Sequence, residues 1–195
     1  MIRMLCYQRC GDFVGKSKHM IKLPKKWVRN EDGAVAIEFA LVAAPFFITI
    51  IGIMEFCLFF ATGMALEGAA NDAARVIRTG EAQKSGDPVT VFQDRLCETI
   101  SVIVNCDGVN YEVIEIPDDS FYSIADYEPE FDEDGNLVSQ GFAPGGVEST
   151  VLVRLAYRYN FKTPLIKHIL SGGDVETPYT HMATVVLRNE PYAFE

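Results

Sequence analysis

The sequence predicts an α+β protein in which a long N-terminal transmembrane helix leads into a small antiparallel-sheet domain with a helix packed on it. Three observations carry this reading. From Ala34 to Met54, 21 residues hold a single ionisable group, Glu38, and a second apolar run from Phe56 to Leu66 follows directly after Glu55. About 20 apolar residues cross the hydrocarbon core of a bilayer, and a buried core helix of that length is out of scale in a chain of 195 residues. Charge changes sign around the segment: residues 1–33 carry eight Lys/Arg against three acids, net +5, and residues 34–195 carry nine against twenty-four, net −15. Beyond Gly86 the apolar spacing switches first to a helical period and then to strand alternation.

These features divide the chain into a basic leader (1–33), a transmembrane helix (34–60), an extension of that helix (61–80) and an α+β domain (87–195). Basic residues flanking a span are retained in the cytoplasm, which places the N-terminus inside and the acidic domain outside. A domain of net charge −15 is a poor match for nucleic acid.

The apolar helix is expected to outrun the bilayer. After Ala61 it turns amphipathic, with Leu66, Ala69, Ala70, Ala73, Val76 and Ile77 on one face and Glu67, Asn71, Asp72, Arg75 and Arg78 on the other, and Gly80 supplies a stop. As one helix, Ala34 to Arg78 is about 67 Å long, twice the hydrocarbon thickness, so its outer half must pack on something. Ala61, Ala65, Ala69 and Ala73 recur every four residues, which fits either close helix approach or plain helix propensity. Pro45 removes one backbone donor and predicts a bend near Leu41. Glu55, 21 residues past Ala34, reads as an interfacial residue and not a paired one.

In the domain, Asp87-Pro88 opens a second helix with a cap followed by proline. Its expected buried stripe is Val89, Phe92, Leu96, Ile100 and Ile103, and Asn105 ends it. Strands are expected at Val109–Ile116, Val147–Tyr159 and His181–Leu187, with a short edge strand at Phe121–Ala125. Cys6 and Cys10 lie in the leader and Cys57 in the apolar run, whereas Cys97 and Cys106 lie in the outer domain, where a disulfide can form and persist; we expect one in preference to two free thiols.

Between Arg95 and Arg154 there are thirteen acids and no base. Asp132, Asp134 and Gly135 fall at calcium-loop offsets, but Gly141 stands where that loop needs a bidentate glutamate, so a polar hairpin turn around Asp134-Gly135 is the better reading. An enzyme is disfavoured. His168 and His181 lack metal spacing, Ser171-Gly172-Gly173 reads as a loop and not a nucleophile elbow, and no nucleophile–base set can be assembled. No cofactor is implied.

The most informative residues are Gly33-Ala34-Val35-Ala36-Ile37-Glu38-Phe39 at the inner edge of the apolar run. A secretory signal would place its cleavage site after a short apolar core, whereas here the small residues precede a long one. A carboxylate at mid-membrane costs about 2.5 kcal/mol or more, so Glu38 calls for a partner. Cleavage after Gly33 would supply one, the new amine on Ala34. An uncleaved anchor with Glu38 snorkelling to the interface is the alternative.

A glycine ending a basic leader, a glutamate five residues later and an aromatic beside it resemble type IV prepilin signals, and Glu38-Phe39 looks like the Glu-Tyr/Phe pair of the Flp branch. The block from Gly33 to Val42, with Pro45 after it, is similar to that of TadE/TadF-like pilus assembly proteins (pseudopilins) of the Flp, or tight-adherence, system. The ending Met182 to Pro191, closing on Arg188-Asn189-Glu190-Pro191, and the Cys97…Cys106 pair also look like that family. The resemblance implies a minor pilin or pseudopilin in the bacterial inner membrane, cut between Gly33 and Ala34 by a prepilin peptidase and assembled through Glu38 and Phe39. Its implied partners are other pilin or pseudopilin subunits and the Tad inner-membrane assembly platform, and its implied role is pilus biogenesis and adherence. The rival is an uncleaved bitopic protein with a periplasmic sensing or scaffold domain, and the size of the mature chain separates the two.

Overall fold

The computed structural model describes residues 33–117, 121–170 and 179–192. The basic leader upstream of Gly33 and the Ser171-Gly172-Gly173 stretch lie outside the described residues. Two compact units are distinguished, one up to Phe46 and one from Phe47 onwards.

Helix α1 spans Ala34–Arg78 and continues through Pro45 without interruption. In the first unit its side chains face outward: Val35, Ile37, Phe39, Leu41 and Val42 are all exposed. In the second unit its buried residues are Gly52, Glu55, Phe59, Thr62, Leu66, Ala69, Ala70, Ala73, Ala74, Val76 and Ile77, a seam at the three- and four-residue spacing of one helical face. The alanines at 69, 70 and 73 are fully buried and share a core with Phe92, Leu96, Val153 and Leu155, so the small residues let α1 lie close against the domain. Gly80 ends the helix at φ +74°, and a Cβ there would meet the Tyr192 ring at 2.6 Å, so both backbone and space require glycine.

A short helix, α2 (Glu81–Lys84), which the sequence did not announce, leads to α3 (Pro88–Ile100). Asp87 caps α3: it accepts the Thr90 N–H at 3.2 Å and the Thr90 hydroxyl at 2.7 Å. Those two hydrogen bonds hold its carboxyl below the usual range. The stripe is Phe92, Leu96 and Ile100. The helix stops at Ile100 and not at Asn105, and the chain then turns, with Ile103 and Val104 both donating to the Ile100 carbonyl. That turn exposes Ile103 and buries Val104 in its place.

Strands β1 (Val109–Ile116), β2 (Thr150–Tyr159) and β3 (Tyr179–Arg188) form one antiparallel sheet in the order β1-β2-β3. Val113 pairs with Val153 and Val153 with Val185, which sets Val109, Val113, Val151, Val153, Leu155, Ala183 and Leu187 in the core with α1 and α3. β2 is buried on both faces from Thr150 to Ala156, although its sequence alternates like a half-exposed strand. The second face is covered by the β1–β2 connection, which the sequence presents as an acidic loop. Phe121–Asp126 in that connection is a 3₁₀ helix, not the expected edge strand. The hairpin turn around Asp134-Gly135 is present, closed by Asp132 N–H to the Asn136 carbonyl at 3.0 Å with Gly135 at φ +78°. A helix α4 (Pro164–Leu170) lies between β2 and β3.

Candidate functional site

At the start of α1, Gly33, Ala34, Glu38 and Phe39 are all exposed, and space for a Cβ at Gly33 is open to 4 Å. Glycine is therefore not demanded there by packing. Exposed apolar side chains follow along α1 as far as Phe60 and Met64. On composition and length this helix could cross a membrane, with a mean hydropathy of 2.3 over its best 18 residues. Lipid or neighbouring apolar helices are the two media in which such a surface is stable.

The carboxylate that the domain engages is Glu55. It is buried to 5 % exposure and accepts the backbone N–H groups of Lys162 and of Thr163, the latter at 2.8 Å. The expectation of an unpaired Glu55 is thus corrected: two backbone donors from the loop between β2 and α4 satisfy a charge that sequence distance placed far away. One turn further on, Phe59 is ringed by Tyr159, Phe161, Tyr179 and His181, with centroids 5.3, 5.4, 4.7 and 4.3 Å away. Burial in this cluster lowers the His181 pKa.

On the second face of the sheet, Glu112 and Arg154 stand directly opposite each other in the β1–β2 register. Both are buried, and the guanidinium donates to Glu112 Oε1 at 2.8 Å and to the Tyr127 carbonyl, while the Gln140 N–H donates to Glu112 Oε2 at 3.1 Å. The pair thereby fastens two points of the β1–β2 connection to the sheet. The signal was visible as the first base after thirteen acids, set mid-strand. At the other end of β3, buried Asn189 donates to the carbonyls of Pro144 and Gly146 at 2.9 and 2.7 Å, and Glu190 N–H donates to the Arg78 carbonyl at 2.9 Å. The Arg-Asn-Glu-Pro ending therefore closes the domain onto the end of α1.

Cys97, in the last turn of α3, is joined to Cys106, the first residue of the 3₁₀ turn before β1, with Cα atoms 5.4 Å apart. A bridge closing so short a loop is expected to stabilise the domain by about 2–3 kcal/mol. Thiol-reactive mass tagging of the denatured, unreduced protein from cells should modify neither residue, and labelling of both before reduction would contradict the bridge. The residues singled out from the sequence thus fall into separate places: Gly33, Ala34, Glu38 and Phe39 at the start of α1, and the cysteine pair in the domain.

The described residues thus form a long apolar helix whose outer half is built into the core of a small α+β domain. Residues 33–75 match the family model for TadE-like protein, so the segment that forms nearly all of α1 is TadE-like, which is consistent with a TadE-like protein of the Tad (Flp) pilus system. That family is one of pilus structure and assembly, which suggests involvement in assembling the Tad pilus. The matched segment ends before α3 and the sheet, so the resemblance of the C-terminal ending and the cysteine pair lies outside it. No curated protein and no solved structure matches the chain.

Proposed function

We propose that the protein is a minor pilin or pseudopilin of the Flp (Tad) pilus, a non-enzymatic subunit that takes part in pilus biogenesis and adherence. It is made with a basic cytoplasmic leader, held in the inner membrane by α1 with its α+β domain in the periplasm, and cut by a prepilin peptidase between Gly33 and Ala34. It then joins other pilin or pseudopilin subunits at the Tad inner-membrane assembly platform. The observation that supports this best is the TadE-like match, which opens on Gly33 directly before the long apolar run. A glycine at that point lets the backbone enter a protease cleft without a side-chain clash.

Cleavage distinguishes this reading from an uncleaved bitopic scaffold or sensor. Mass spectrometry of the protein extracted from membranes should find a chain beginning at Ala34. An intact leader in cells with a working prepilin peptidase would overturn the processing step.

A further inference from the structure

We propose that the segment from Phe161 to His168 is a second membrane contact, seated in the surface layer of the same bilayer that α1 crosses. This rests on the membrane-crossing reading of α1 and goes beyond it, because the domain itself would then touch lipid.

The argument is one of level along α1. Glu55 takes the N–H groups of Lys162 and Thr163, which pins the entry of α4 to that turn of α1. One turn back, Ile166 Cδ1 lies 3.4 Å from where a Cβ on Gly52 would sit, so α4 runs along α1 towards its apolar half and not away from it. At these same turns Ile51, Ile53, Met54, Phe56 and Leu58 present exposed apolar side chains on the rest of the helix surface, and Phe60 and Met64 continue that surface further out. A domain segment docked at Gly52 and Glu55 therefore lies beside residues that a bilayer would cover.

The composition of the segment suits that place. Phe161 of the segment packs in a cluster with Phe59, Tyr159 and Tyr179, and tyrosine is a residue type that collects at membrane–water boundaries. Three lysines occur after Ala34 in an otherwise acidic region, and two of them, Lys162 and Lys167, are here. Their long stems can lie on apolar surface while the ammonium groups reach lipid phosphates. Glu55 gives the arrangement a reason: a carboxylate at the lipid edge of a helix is tolerable when two backbone donors satisfy it.

The test uses the full chain with Cys6, Cys10 and Cys57 replaced by Ser, the 97–106 bridge closed, and one new cysteine at a time carrying an environment-sensitive NBD label. Pro164→Cys and His168→Cys probe the segment, Ile53→Cys reports the crossing helix, and Glu133→Cys reports the water-facing hairpin; all four positions are exposed. In vesicles of phosphatidylcholine and phosphatidylglycerol, brominated lipid should quench the label at 164 or 168 to within about twofold of the label at 53, as a boundary-seated segment requires. Aqueous iodide should quench the label at 133 much more strongly than those two. If labels 164 and 168 both behave like label 133 while label 53 is quenched by lipid, the inference is wrong and the crossing helix stands. If label 53 is also untouched by lipid, the membrane reading of α1 fails and this inference falls with it.

Discussion

Arg154→Met is expected to destabilise the domain by about 3–5 kcal/mol, because it strands a buried carboxylate. Glu112 is 0 % exposed in its side chain and Arg154 is 6 % exposed. Without the guanidinium, Glu112 keeps, among the described residues, the Gln140 N–H alone, and the Tyr127 carbonyl loses its donor on the sheet. The connection between β1 and β2 is then released at the point where it covers the second face, exposing Leu152 and Ala156, both now buried. A charge left alone in the interior costs more than the intact pair contributes, so the loss should be strongly non-additive. Glu112→Leu combined with Arg154→Met removes both charges and should recover more than half of the stability lost in the single variant. Denaturant unfolding of the detergent-solubilised chain, followed by the near-ultraviolet signal of its aromatic clusters, reads the effect. A single-variant cost below about 1 kcal/mol would mean that solvent reaches the pair and that it is worth no more than a surface ion pair.

How far the sequence carried the fold depends on how local the governing interactions are. The ends of α1 and β1, and the cap of α3, follow from short-range signals: an unbroken apolar run, a left-handed glycine at Gly80, alternation from Val109, and Asp87 before Pro88. The exit of α3 does not, since Ile103 and Val104 are equally apolar and only the turn after Ile100 decides which one enters the core. Likewise, Phe121–Ala125 has no strand partner visible in sequence and folds as 3₁₀ turns with Phe121 and Tyr122 exposed. The two buried carboxylates were the least legible. Glu55 finds its donors 107 and 108 residues away, and Glu112 finds Arg154 42 residues away. Pairings that distant need the register of the sheet before they can be recognised.

The motif on which the proposed function rests was legible for the opposite reason. Gly33, Ala34, Glu38 and Phe39 lie within seven consecutive residues, and the chemistry linking them is local to one helix start. In the structure Glu38 and Phe39 are exposed, so packing within this chain does not account for either of them. What accounts for Glu38, in the function proposed here, is the Ala34 amine that cleavage creates, its own or a neighbouring subunit's. A lone carboxylate in lipid is costly and a neighbouring ammonium offsets that cost, so in this reading the pair forms only after the leader is gone. That links processing to the registration of one α1 helix against the next.

Glu38→Gln therefore tests the account most directly, because it nearly preserves shape and removes only the charge. The variant should be cut after Gly33 and retained in the membrane at normal levels, since neither the leader nor the apolar length changes. Cells that carry it as their sole copy should be devoid of Flp pili by electron microscopy and fail to adhere to surfaces. Normal pili at normal protein levels in those cells would contradict the account and reduce Glu38 to a tolerated boundary residue.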